Sequence, residues 1–495
     1  MTSSFLSAVM GLVRTKYIAY VFGLADAYNA AFELPDMINY FLIGGVASIP
    51  LITILNRFRQ PAGQPNDEAA GDLALSYVLN AMLIVLTVAI VAAEFLVPFY
   101  TRYKFPGFDP QRAALCNSLT RILLPAQLFF FAGGVLGSRL LVRKIFTYQA
   151  LTPLIYNAGI IAGGILLSRR IGIYSLAVGV LIGVVAGPFA LNAFAALRGG
   201  MSYRPVFNLR HPAFREWLRL SLPLMAGASL VTADKWILSY FASHEAGAIS
   251  QITFAKTLFT APMGILGQAA GAASLPFFAA LWSQGKTAEF ATSVNRSVSR
   301  IIAVSLLMAA CMLALAQPIV DLLFRGGSFQ RLDSQQTAVY FAIFTLSLFL
   351  WTAQAIYARA FYAVGNTLLP AIAGTLVTVC SIPLYALLFR MHGTRGLAVA
   401  SDTGILVQTA VLALLLHHKG WVRLSGLDLP EAARALLAAV ISGAGVRFTL
   451  HLLPHAITHT DDAIQLGVGT LMWLVLVLLV LRLTGSRLLS ELRRR

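Results

Sequence analysis

Apolar runs of about 20 residues follow one another along almost the whole chain, broken by short stretches rich in Arg, Lys, Gly and Pro. A run of that length crosses a hydrocarbon core of about 30 Å as a helix. The pattern predicts about fourteen transmembrane helices, near 5–23, 27–55, 73–99, 114–141, 148–168, 172–197, 216–242, 246–281, 297–324, 335–362, 367–390, 395–417, 429–454 and 462–485. The first run carries Arg14 and Lys16 and has no small-residue cleavage site before a polar sequence, so it reads as a retained helix and not a removable signal. With the N-terminus placed in the cytoplasm, loops on that side collect about 22 Lys and Arg and the opposite loops about 9. That asymmetry satisfies the positive-inside rule and puts both termini on the cytoplasmic side.

Composition strengthens this reading. Of 495 residues, 58% are hydrophobic and only 12% charged, with a mean hydropathy of +0.76, too little charge to cover a soluble surface. The expected fold is an all-α polytopic membrane protein. The net charge of +17 does not point to nucleic acid, because the basic residues lie in short loops and in the terminal "ELRRR". Cys116, Cys311 and Cys380 are scattered without metal-ligand spacing. There is no Gly-rich phosphate loop ending in Lys-Ser/Thr and no His-Glu-x-x-His. The expectation is therefore a transporter without a cofactor or ATP hydrolysis, coupled to the membrane potential or to a monovalent cation. One charge crossing 100 mV is worth about 2.3 kcal/mol, enough to bias a conformational equilibrium.

Two pairs of segments repeat. "FELPDMINYFLIGGVASIP" (Phe32 to Pro50) and "FTAPMGILGQAAGAASLP" (Phe259 to Pro276) share an F-x-x-P opening and an A-S-(I/L)-P close. "SRLLVRKIFTYQALTP" and "ARAFYAVGNTLLP" both join an Arg-bearing helix end to a Thr and Pro at the start of the next. They predict two six-helix lobes, 1–197 and 216–417, joined by an Arg- and Pro-rich cytoplasmic linker at 198–215, then two extra helices over 429–485 and a basic tail at 486–495. Parallel repeats of this kind build transporters that rock around a central site. Pro35, Pro50, Pro125, Pro223, Pro262, Pro276 and Pro318 are expected to kink the helices that hold them.

Charge inside an apolar helix is costly and marks a polar contact or a cavity. Arg14 lies midway along the first run, and Asp26, Glu33 and Asp36 follow in the next. Arg suits a phosphate ligand, since its guanidinium stays charged and binds two oxygens at once. Two readings stand for each group: Arg14 either faces a cavity or snorkels with Lys16; Asp26 either gates or binds an ion, or starts a helix as its cap; Lys256 either faces the cavity or pairs with Asp234. Arg121, Lys235, Asp402 and Arg447 are further charges in apolar runs without an assigned partner.

The segment "GLVRTKYIAYVFGLADAYNAAFELPDMI" resembles the first two helices of the MurJ (MviN) lipid II flippases, with Gly11, Arg14, Phe22, Gly23, Asp26, Ala27, Tyr28, Phe32, Leu34 and Pro35 on the family pattern. The resemblance continues through "RILLPAQLFFFAGGVLGSRLLVRKIFTYQALTPLIYNAGII", "LLFRGGSF" and "ARAFYAVGNTLLPAI" and spans essentially the whole chain. It implies the multidrug/oligosaccharidyl-lipid/polysaccharide exporter fold, with two lobes around a central cavity and two extra helices forming a groove for a lipid tail. It also implies a function: moving undecaprenyl-diphosphate-linked peptidoglycan precursor, lipid II, to the outer leaflet of a bacterial inner membrane. The implied protein is a monomer among membrane lipids, working beside cell-wall synthesis proteins.

On that basis Arg14, Lys256, Asn39 and Thr257 are the expected headgroup residues, and Asp26, Glu33, Asp36 and Asp234 the expected gating or ion-coupling residues. The chain departs from the family pattern at Ala8, Thr15, Asp36, Asn39, Tyr40 and Thr257, several of which replace cavity arginines. Beside lipid II flipping, three readings stay open: a flippase for another polyprenyl-diphosphate saccharide, an ion-coupled drug exporter, and an inactive scaffold.

Overall fold

The computed structural model describes residues 2–59, 67–225, 230–453 and 458–488. These residues are almost entirely helical and form no β-strand, only an isolated bridge between Gly326 and Phe329. The chain divides into two compact units: residues 1–18 with 25–227, and residues 19–24 with 228–495. The chain is an all-α polytopic membrane protein. Among the described residues, eight helical stretches are long and apolar enough to cross a bilayer, several of them with an internal break, and a bent pair of helices makes up to nine.

The first unit begins with α1 (Thr2–Phe22), whose last residues group with the second unit. The expected helix 27–55 is in fact broken. It consists of α2 (Asp26–Ala31), α3 (Glu33–Ile38), a π-helical turn (Asn39–Ile43) and α4 (Gly44–Arg59). Pro35 does not kink a continuous helix but sits in the first turn of α3, where its missing N–H costs nothing. Next come α5 (Glu68–Lys104), α6 (Pro110–Leu123) and α7 (Ala126–Val142). They are followed by α8 (Thr147–Ile171), α9 (Tyr174–Val184), a π-helical segment holding Pro188, and α10 (Asn192–Arg198). Asp67 and Asp109 cap α5 and α6, each accepting a backbone N–H at hydrogen-bonding distance. Helices α8 and α9 meet backbone to backbone: a Cβ on Gly159 would lie 2.4 Å from the Cα of Gly183. Small residues permit this close contact where lipid supplies no hydrophobic drive between helices.

Residues 199–211 are non-helical apart from turns, and α11 (Pro212–Met225) returns to the first unit. There Trp217 is buried with Leu75, Val78, Phe131 and Val135. Contacts therefore divide the chain between residues 227 and 228, beyond the expected linker end at 215, because α11 packs on α4 and α5.

The second unit holds α12 (Leu230–Ala242), α13 (Ala248–Met263), a π-helical turn (Gly264–Gln268), α14 (Ala269–Ser283), α15 (Thr287–Ala314) and α16 (Ala316–Phe324). Helices α17 (Arg331–Leu346) and α18 (Leu348–Ala363) are bent by 44° against each other at Ser347. Helix α19 (Leu368–His418) joins two expected spans through a break at Gly393, whose φ of 58° and ψ of −145° glycine alone adopts readily. Helices α20 (Leu429–Leu452) and α21 (His459–Leu483) pack against α15, where Trp473 Nε1 donates to the Leu307 carbonyl at 3.0 Å.

The repeat read from the sequence has a structural counterpart. In each unit a proline-bearing helix is followed by a π-helical turn and then a new helix: α3 to α4 after Pro35, and α13 to α14 after Pro262. Pro50 and Pro223 lie where side chains are outside the described set, while Pro276 and Pro98 are carried inside continuous helices.

Candidate functional sites in the two units

In the first unit Arg14 is half-buried on α1. Its Nε is shielded from solvent and has no hydrogen-bond partner among the described residues. It lies within electrostatic reach of the phenols of Tyr28 on α2 and Tyr156 on α8. Glu33, Asp36 and Asn39 recur every three residues and so share one side of α3 and its π-helical turn. Glu33 pairs with Lys104 at 3.1 Å, both side chains largely buried, and Asp36 acts on Tyr156 and Tyr100. Asn39 Nδ2 donates to Gln127 Oε1 at 3.0 Å. Asp26 is buried in the first turn of α2, where a carboxylate complements the exposed backbone N–H groups; Ala25, not Asp26, is the cap residue.

This arrangement separates spent charge from unspent charge. Glu33 is committed to Lys104 and Asn39 to Gln127. The Arg14 guanidinium keeps a donor without a partner among the described residues, and a guanidinium donor is the chemistry that receives a phosphate oxygen.

Another arginine of the same unit is fully committed. Arg139 forms a two-pronged pair with Asp72, Nη2 to Oδ2 at 2.9 Å, and the Ser202 N–H donates to the same Oδ2 at 2.9 Å. Arg143 binds Glu68 and the Gly199 carbonyl. These contacts tie α5, α7 and the segment after α10 together.

In the second unit Lys256, half-buried on α13, donates to Asp234 of α12, a carboxylate only 2% exposed. Its ammonium also lies 3.4 Å from Ser401 Oγ and over the rings of Phe344 and Trp351, 4.7 and 5.7 Å from their centroids. Tyr385 donates its hydroxyl to the other oxygen of Asp234, and Ser347 Oγ donates to Asp402 at 2.6 Å. Thr257, expected beside Lys256 as a headgroup residue, turns its hydroxyl back to the Thr253 carbonyl at 2.8 Å.

Of the expected residues, the structure gathers Arg14, Glu33, Asp36 and Asn39 in one unit and Lys256 and Asp234 in the other. Lys104, Gln127, Tyr156, Tyr385 and Ser401 completed these clusters without having been singled out. Their one sequence signal is polarity inside or at the end of an apolar run, as in "LIYNAG" around Tyr156. Arg121 stands 3.8 Å from Glu94, and Arg447 is exposed on α20. Among the described residues no cluster of His, Cys, Asp and Glu is arranged to hold a metal ion.

Comparison with known proteins agrees with the fold. Residues 18–464 match the family described as lipid II flippase MurJ. A probable lipid II flippase MurJ of Bdellovibrio bacteriovorus is 24% identical over 475 residues, covering 93% of this chain and 88% of that protein. The lipid II flippase MurJ of Burkholderia cenocepacia is 27% identical, covering 84% and 82%. Among solved structures, a lipid II flippase MurJ in an inward closed conformation superposes with a TM-score of 0.80 at 22% identity over 97% of this chain and 98% of that one. An inward-facing multidrug MATE transporter of the MOP superfamily gives 0.68 at 15% identity over 83% and 94%.

Proposed function

The chain belongs to the lipid II flippase MurJ family, and from that premise we propose that it carries lipid II, the polyprenyl-diphosphate-linked peptidoglycan precursor, from the inner to the outer leaflet of a bacterial inner membrane by alternating access, with both termini cytoplasmic. The observation that carries this reading is Arg14, a half-buried guanidinium in an apolar helix whose Nε has no protein partner among the described residues. A diphosphate crossing a low-dielectric region needs such a donor, and the fork of a guanidinium meets two phosphate oxygens together. Tyr28 and Tyr156 lie within electrostatic reach of it, and Asp36 limits the local positive charge so that the anion is released again.

A second reading, transport of another polyprenyl-diphosphate saccharide, draws support from Asn39 and Thr257. Both are uncharged at positions where the family resemblance leads one to expect arginine, and both are occupied by internal hydrogen bonds. Complementation of a bacterium depleted of its own lipid II flippase separates the two. Growth restored by this chain supports lipid II as substrate. Lysis despite normal amounts of membrane-inserted protein rejects it in favour of the second reading or of an inactive scaffold. In either case the proposed drive is the membrane potential, through which a charge moved across 100 mV gains about 2.3 kcal/mol, or a monovalent-cation gradient.

A further inference from the structure

The surroundings of Lys256 have the form of a cation site. Five helical segments converge on one ammonium: α12 brings the Asp234 carboxylate, α17 and α18 the faces of Phe344 and Trp351, and α19 the Ser401 hydroxyl, around a lysine from α13. Carboxylate and hydroxyl oxygens with aromatic faces are the groups by which proteins hold a monovalent cation away from water. The cage is itself braced. Tyr385 fixes the second oxygen of Asp234, and Asp402, adjacent to Ser401, is oriented by Ser347 and lies within electrostatic reach of both Lys256 and Asp234. The walls thus set one carboxylate, one hydroxyl and two aromatic faces against one ammonium. Asp234 is almost wholly buried, and a buried carboxylate without a cation is strongly destabilising.

We propose that this cage is a monovalent-cation site whose occupant is the chain's own ammonium, so that Lys256 is a tethered cation. The second unit then needs no external sodium or potassium to balance Asp234, and removing the lysine side chain opens a site for an alkali cation. The consequence for transport, that its drive does not come from an ion bound at Asp234, rests on the function proposed above. The site itself does not, and it is tested without transport.

The test is thermal unfolding of the purified full-length protein in detergent, in sodium, potassium or N-methyl-D-glucamine chloride at equal ionic strength. Wild type should melt at the same temperature in all three. Lys256→Ala should melt lower in N-methyl-D-glucamine and recover in sodium or potassium with a saturable concentration dependence. The double variant Lys256→Ala, Asp234→Asn should lose that dependence. Should Lys256→Ala yield no folded protein, Lys256→Met prepared in sodium is read in the same way.

Stabilisation of wild type by sodium or potassium that disappears in Asp234→Asn would overturn the proposal, since an external ion would then bind beside the ammonium. So would a folded Lys256→Ala that ignores both ions, or failure of both lysine variants to fold in sodium. A chain that flips no lipid leaves these outcomes intact, and failure here leaves the role of Arg14 untouched.

Discussion

Arg14 and Lys256 are both cations set in apolar helices, one in each unit, and the sequence treats them alike. Their surroundings are opposite. Lys256 is spent on a buried carboxylate, a hydroxyl and two aromatic faces, whereas Arg14 retains a shielded donor without a partner among the described residues. The role of an intramembrane charge is therefore set by what its neighbours have already claimed. A cation whose partners are internal holds the fold, and one left open is available to a ligand.

Two variants sharpen the contrast through the amount of folded protein, with the largest effects expected at committed charges. Lys256→Glu sets a third carboxylate in a cage with Asp234 and Asp402, and Arg139→Ala leaves Asp72 buried and unpaired. Breaking a buried pair costs about 3–5 kcal/mol, a large part of the stability of any protein. Both should therefore lower the yield and melting temperature of detergent-purified protein sharply. A Lys256→Glu variant that melts like wild type and loses only transport would erase the distinction between the two cations.

A far smaller effect is expected at a surface cap. The Arg112 backbone N–H and guanidinium hold the Asp109 carboxyl below the usual carboxylate range. Its folded-state value is depressed, so the contribution is present at neutral pH, above the unfolded value of about 3.9, and is lost as pH falls through the folded one. Asp109→Ala should melt slightly below wild type at pH 7, and the gap should close in acid. A gap that widens in acid would refute the sign.

The helices themselves were legible because each is a long apolar run, and the inner repeat was legible because its prolines recur with their flanking motifs. The breaks were less so. Phe32 and Ser347 interrupt helices without any breaker residue at the site, whereas the break at Gly393 falls between the two helices expected at 367–390 and 395–417. Partners across helices were the least legible. Arg139 and Asp72 lie 67 residues apart and Tyr385 and Asp234 lie 151 apart, and nothing local in the sequence encodes either pair. For Lys256 and Asp234 the sequence left pairing and cavity exposure both open, and in the folded chain the ammonium sits on the carboxylate.

The account turns on Arg14 as the ligand of the transported headgroup, and the direct measurement is the quantity of headgroup reaching the outer leaflet per unit of folded protein, in wild type and in Arg14→Ala. Removing a guanidinium whose Nε has no partner among the described residues should leave folded protein unchanged and reduce headgroup delivery to the level of membranes lacking the chain. Wild-type delivery by a well-folded Arg14→Ala would contradict it.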